Sequence, residues 1–322
     1  MYNKTILITG GTGTVGKHLL IYLLENENPK KIIVYSRDEF KQHNLKIELS
    51  DKKYTNKIKY IIGDIKDIDS LNNALYGVEI VFHTAAIKHV PIAEDNPFEA
   101  IKTNIFGTQN IIQAAINNNV ESVISISTDK SVISNNLYGS TKLCMEKLTL
   151  HANTLSNTKF SVIRFGNILC SRGSVIPVFL KLRKTGKINI TDKNVTRFTI
   201  NIDQMTQFIT KSANTMIGGE IFIPKLPAYS LGQLVDCLCN ETDINVTGLK
   251  PGERLHEYMI SEYETGLILE RDNDYVICPS NDTKYTDIYG TNTVLPFLYS
   301  SEYAQQIDSS ELMKQIDIYQ NI

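Results

Sequence analysis

Seven residues, Gly10-Gly11-Thr12-Gly13-Thr14-Val15-Gly16, restrict what this chain can fold into more than any other stretch. They follow an apolar run at residues 5–9 and open an amphipathic stretch at 15–25. A glycine triplet alone is a weak signal. Wedged between a strand and a helix, and answered by a second strand at 31–36, it is the pattern of a dinucleotide-binding βαβ unit. Without Cβ atoms at Gly10, Gly13 and Gly16, the backbone can approach a pyrophosphate lying on the helix N-terminus. Thr12, Thr14 and Val15 complete the turn and join the candidate cofactor contacts.

The rhythm continues beyond this unit. Strands are expected at 58–63, 78–83, 122–127 and 160–165, and helices at 97–118 and 138–155. Such alternation predicts an α/β fold, a Rossmann-type doubly wound parallel sheet. After Asn167 the chain breaks into Gly- and Pro-punctuated pieces. Residues 1–167 therefore read as an NADP-binding domain to which later segments return. Residues 168–322 read as a smaller, interleaved C-terminal substrate domain. The Tyr-rich stretch 285–303 is weakly patterned, and 309–319 reads as a short helix opened by a serine cap.

Composition narrows the functional classes. The 322 residues are 42% hydrophobic and 21% charged with a formal net charge of −2, which favours neither a nucleic-acid nor an anionic-membrane partner. No apolar run is long enough to span a membrane, and the N-terminus enters a strand without a signal-peptide pattern, so a cytoplasmic location is expected. The five cysteines are scattered and no His/Cys/Asp cluster has metal spacing, so no metal is expected.

Two regions carry the chemistry. The second strand ends Ser36-Arg37-Asp38, with Lys41 nearby. A Ser-Arg pair at this tip suits the 2′-phosphate of NADP, whereas an acid would suit the ribose hydroxyl of NAD; NADP is the expected cofactor. Asp64 and Ile65 would face the adenine, Ala85 and Ala86 would let backbone pass close to the cofactor, and Asn104 would steady backbone near the active site. The second region is Ser127-Thr128-Asp129-Lys130 followed by Tyr138-Gly139-Ser140-Thr141-Lys142. Tyr138 and Lys142 share one helix face, where the ammonium would lower the phenol's pKa and make it a base. Asp129 and Lys130 sit where a buried strand ends, which is where open α/β sheets bind ligands. Simple alcohol oxidation has no use for all four groups.

The G-x-x-G-x-x-G and Y-x-x-x-K spacing resembles the extended short-chain dehydrogenase/reductase superfamily. Ala85-Ala86-Ile87-Lys88-His89-Val90-Pro91, Arg164-Phe165-Gly166-Asn167, Ser171-Arg172-Gly173-Ser174-Val175 and Lys250-Pro251-Gly252-Glu253-Arg254-Leu255-His256-Glu257 narrow the likeness. With the two active-region motifs, they resemble the inverting UDP-N-acetylglucosamine 4,6-dehydratases from about residue 4 to about residue 260. The resemblance implies UDP-N-acetylglucosamine as substrate and a homo-oligomer, often a hexamer. It makes Lys88, Asn167, Arg172, Ser174, Val175, Thr191, Arg197, Glu253 and Arg254 candidates for holding the sugar nucleotide, with Lys88 also near the cofactor.

The resemblance further implies a catalytic set. Tyr138 removes the C4 hydroxyl proton, Lys142 supports it and holds the ribose, and Thr128 hydrogen-bonds the hydroxyl. Lys130, as a neutral amine, removes the C5 proton, and a protonated Asp129 releases O6 as water. Crowding by Lys142 and desolvation are expected to lower the Lys130 pKa. Dehydratases that retain configuration at C5 carry Glu after this Asp, so Lys130 marks inversion. The alternatives are a UDP-sugar 4-epimerase, a non-catalytic NADP-binding scaffold, or a Lys130 that merely pairs with Asp129 at the strand end.

Overall fold

The computed structural model describes residues 1–50, 54–239 and 242–320. Six parallel strands form the centre: β1 (Thr5–Thr9), β2 (Lys31–Ser36), β3 (Ile58–Ile62), β4 (Ile80–His83), β5 (Ser122–Thr128) and β6 (Lys159–Phe165), in spatial order β3-β2-β1-β4-β5-β6. Ile6, Leu7 and Ile8 are all fully buried, as a strand covered on both faces requires. The strand order reverses between β1 and β4, and that crevice is the ligand position of a doubly wound sheet.

The second half of the chain extends this sheet. Ile221–Pro224 pairs in parallel with β6, and Asp274–Cys278, Leu267–Glu270 and Thr293–Val294 continue it antiparallel. A separate apolar core, including Phe179, Ile188, Leu234 and Leu312, lies under the segments that cover the sheet's carboxyl edge.

Two local expectations are corrected, and the Tyr-rich stretch is partly loop, with no helix or strand at 290–292 and 295–298. The helix expected at 97–118 is interrupted: Pro97–Ile101 and Gly107–Asn117 are joined by a π-helical turn, Lys102–Phe106, which carries Asn104. Such turns re-aim side chains, and this one sends Asn104 inward to clamp the Ile87 N–H (2.8 Å), the Ile87 carbonyl (2.9 Å) and Thr141 (2.9 Å). The helix Ser309–Tyr319 is capped by Asp308, whose carboxylate accepts from the Ser310 N–H, rather than by a serine. The Tyr-rich stretch is anchored: Tyr285 and Tyr289 bury their rings in the helix Thr283–Tyr289, and Tyr299–Ser300 pairs with Tyr258–Ile260.

Candidate active site

At the end of β1 the chain turns at Gly10 with φ +64°, and the helix Thr14–Asn26 begins behind it. A Cβ at Gly10 would lie 2.9 Å from the Ala85 backbone, and one at Gly16 would lie 2.6 Å from the Gly10 carbonyl oxygen. Side chains at either position would force apart the turn, the helix and the β4 edge. Gly13 precedes the helix in extended backbone with no side-chain cap, so the first helical N–H groups remain available to an anion. This cradle fits a dinucleotide pyrophosphate. It opens one end of a cleft of about 880 Å³ that runs along the carboxyl edge of the sheet.

At the β2 end, Ser36, Arg37, Asp38 and Lys41 line the cleft with Asp64 and Ile65. The Asp38 carboxylate is engaged: it accepts from the Lys41 N–H (3.0 Å) and meets Lys41 Nζ at 2.9 Å, capping the helix Glu39–Glu48. Arg37 stands over Asp64 (3.7 Å) and Glu99 (3.9 Å) with its side chain 56% exposed. The strand tip thus offers a reachable guanidinium and an acid already paired with Lys41.

β5 ends in the single turn Asp129–Ser131, which delivers Lys130 to the cleft. Lys130 Nζ donates to Asp129 Oδ1 (3.0 Å) and Asn167 Oδ1 (3.1 Å) and lies 3.4 Å from Glu257 Oε1. Asp129 is fully buried, accepts a second bond from the Thr128 hydroxyl (2.8 Å), and leaves Oδ2 with no hydrogen-bond partner. The ion pair weighed against a catalytic Lys130 is therefore present, with Lys130 in the wall of the cleft and Asp129 buried behind it.

The expected charge states are corrected. Burial alone would lower the Lys130 pKa, but the Asp129 and Glu257 carboxylates outweigh it and raise the pKa well above its ordinary value. The two acids thus favour the ammonium form of Lys130. Burial likewise pushes the Tyr138 phenol up to about 12; the Lys130 charge and a hydrogen bond with Thr128 oppose that shift. Lys142 has no part in it, because its ammonium donates to the Ile126 carbonyl (2.5 Å) and burial lowers its own pKa to about 8.

The helix Leu137–His151, capped by Asn136, holds Tyr138 against the Lys130 turn. Gly139 makes this fit possible, since a Cβ there would stand 2.1 Å from the Lys130 carbonyl oxygen. Gly139→Ala is expected to cost about 1–3 kcal/mol, a loss that thermal melting measures directly. Below the site, Glu146 and Arg164 form a buried pair through two hydrogen bonds (3.1 and 2.7 Å), and Ser127 and Ser131 donate to the same carboxylate. His83 is a core residue, held between the Thr9 and Thr108 hydroxyls, and burial lowers its pKa to about 3.

The far end of the cleft is lined by Lys88, Asn167, Ser174, Val175, Arg197 and Glu253. Lys88 Nζ reaches the Arg172 carbonyl (3.1 Å), and the Ser174 hydroxyl is buried and unpartnered ahead of the helix Val175–Leu182. Arg197 is held by the Thr196, Leu255 and Arg254 carbonyls beside Glu253 (3.5 Å). Thr12, Gly13, Thr14, Val15, Ala85, Ala86, Thr128, Tyr138 and Lys142 also face the cleft, but Gly16, Asn104, Asp129, Arg172, Thr191 and Arg254 do not line it. Thr191 instead donates to Glu253 (3.0 Å), and Arg254 donates to the Val132 carbonyl (2.8 Å). Glu257, which contacts both Lys130 and Arg197, was missed as a site residue because only the fold brings it there.

A family model described as a polysaccharide biosynthesis protein matches residues 6–278. The chain belongs to this family. Within the polysaccharide biosynthesis family it is 46% identical over 286 residues to the UDP-N-acetylglucosamine 4,6-dehydratase (inverting) of Campylobacter jejuni, covering 87% of this chain and 84% of that protein. The likeness read from the motifs thus extends along most of the sequence. A UDP-glucose 4-epimerase of Rickettsia rickettsii is 38% identical, covering 81% of this chain and 79% of its own length. The X-ray structure of Pen from Bacillus thuringiensis superposes with a TM-score of 0.90 at 38% identity, covering 98% of both chains. Among the described residues no helix is long and apolar enough to cross a membrane, and no group of His, Cys, Asp or Glu could hold a metal ion.

Proposed function

We propose that this protein dehydrates UDP-N-acetylglucosamine across C5 and C6 with inversion at C5, using a tightly bound NADP that is regenerated in each turnover. The observation that carries this reading is Lys130 facing the cleft beside Tyr138, paired with the fully buried Asp129 directly behind it. One proton separates the ammonium–carboxylate pair from the neutral amine and carboxylic acid that the elimination needs. Their 3.0 Å hydrogen bond is the path for that proton.

A dinucleotide held against the Gly10–Gly16 turn would supply a hydride acceptor for C4 and a hydride donor for C6. Tyr138 accepts the C4 hydroxyl proton, with Thr128 and the Lys130 charge favouring its ionised form. Lys130 in its amine form then takes the C5 proton, and Asp129 gives its proton to the departing O6, which leaves as water. Both groups end as the ion pair, and one internal proton transfer resets them. Reprotonation of C5 from the opposite face by a proton from solvent gives the L-arabino 4-keto-6-deoxy sugar, and Tyr138 releases to solvent the proton it accepted, which closes the cycle. Arg197, Lys88 and the N–H groups behind Ser174 are the candidates for the diphosphate, because an anion seeks charged donors and a helix N-terminus.

Arg37 and the engagement of Asp38 with Lys41 support NADP over NAD. Arg37→Ala is expected to weaken NADP binding by about tenfold or more with little change for NAD, measured by titrating the apoprotein with each. A homo-oligomer is part of the same reading, and light scattering on the purified protein tests it.

The second reading, a UDP-sugar 4-epimerase, has the 38% identity to the Rickettsia protein in its favour. NMR of UDP-N-acetylglucosamine turned over in D2O decides between them. A 4-keto-6-deoxy product carrying deuterium at C5 supports dehydration, whereas a 4-epimer alone defeats it.

A further inference from the structure

Glu257 is 4% exposed and does not line the cleft, yet its carboxylate lies 3.4 Å from Lys130 and 3.7 Å from Arg197. It is anchored from outside the sheet. The Glu257 N–H donates to the Ser301 hydroxyl (2.9 Å), and the Ser301 N–H donates back to the Glu257 carbonyl (2.9 Å). The paired strands Tyr258–Ile260 and Tyr299–Ser300 follow at once. Two segments distant in sequence thus fix a buried acid behind the Lys130–Asp129 pair.

We propose that Glu257 is a positioning residue for the dehydration: it holds the Lys130 ammonium in line with Asp129 and sets how readily the pair passes its proton across. The inference rests on the reaction proposed above. The physical argument is charge counting in a site shielded from water. Lys130 faces Asp129 from its own turn, Glu257 and Arg197 from the covering segments, Tyr138 from its helix, Tyr229 from the strand beside Arg197, and Lys88 from across the cleft. Glu257 is the second carboxylate near Lys130, and it favours the ammonium both before the base is needed and after it has taken the C5 proton. Arg197 tempers that hold, because it contacts the same carboxylate while also reaching Glu253 in the cleft wall. The unpartnered Asp129 Oδ2 leaves Asp129 able to carry the proton when the pair shifts to its neutral form.

The test is the pH dependence of dehydration by the NADP-loaded enzyme on UDP-N-acetylglucosamine deuterated at C5. The isotope effect identifies the limb that belongs to removal of the C5 proton and separates it from the Tyr138 step. Glu257→Gln keeps the shape and removes the charge. An opposite charge at this distance shifts a pKa by about 1–3 units, so the base limb should move to lower pH by roughly one unit or more. The sign follows because an ammonium that loses a neighbouring anion gives up its proton more easily.

A merely structural Glu257 would lower the melting temperature and leave the limb where the wild type has it, which overturns the proposal. If Glu257→Gln does not fold, Glu257→Asp retracts the charge by one methylene; a smaller downward shift supports the proposal and an unmoved limb overturns it. Wild-type protein that yields no 4-keto-6-deoxy sugar refutes the reaction itself. A wild type that dehydrates alongside a variant with an unmoved limb refutes only the role of Glu257.

Discussion

Lys130→Met is expected to lower dehydration of UDP-N-acetylglucosamine by about 10²–10⁴-fold, the range that a positioned acid or base contributes. The substitution removes the proposed C5 base and also unpairs Asp129, which is fully buried. Breaking a buried ion pair by removing one partner costs about 3–5 kcal/mol, and the 19% exposure of the Lys130 side chain places this case toward the lower end. A lost rate could therefore be mistaken for lost folding. The double variant Asp129→Asn/Lys130→Met separates the two, because it removes both charges together. It should recover most of the melting temperature while remaining inactive. NMR product analysis beside a thermal melt reads both quantities, and a folded Lys130→Met enzyme with a normal rate would remove Lys130 from the reaction.

The parts of this protein legible in its sequence are those set by local rules. The glycine turn is one, since strand, turn and helix lie within residues 5–26 and each needs only its neighbours. The placement of Lys130 at the end of β5 is another, because the 3₁₀ turn follows the strand directly. What was not legible depends on contacts between distant segments. Nothing near Glu257 signals that its carboxylate will meet Lys130, since that contact exists only once Tyr258–Ile260 has paired with Tyr299–Ser300. The same is true of the Glu146–Arg164 pair, which joins a helix to a strand beneath the site.

The error over Lys142 has a related cause. Four-residue spacing does put Tyr138 and Lys142 on one helix face, as the sequence suggested. It does not fix where a flexible ammonium finds its acceptor, and Lys142 takes the Ile126 carbonyl at the end of the neighbouring strand. Helical spacing sets the direction of a side chain, whereas the position of its charge depends on which buried acceptors lie within reach.

Tyr138→Phe is expected to reduce turnover by about 10²–10⁴-fold while leaving NADP and UDP-N-acetylglucosamine binding nearly intact, because it deletes only the hydroxyl that receives the C4 proton. Equilibrium titration with each ligand, set beside the NMR rate, tests the split; lost binding would mean that the phenol positions substrate instead. The electrostatics give a second, sharper expectation. Burial pushes the phenol up to about 12, and the charge that opposes this is on Lys130 rather than Lys142. A phenol that loses a neighbouring cation ionises at higher pH. In Lys130→Met, the residual C4 oxidation should therefore have its basic limb moved to higher pH, while Lys142→Met should leave that limb in place. If the two variants behave the other way round, the ammonium that tunes Tyr138 in the working enzyme is Lys142, and its side chain must leave the Ile126 carbonyl when the cleft is filled.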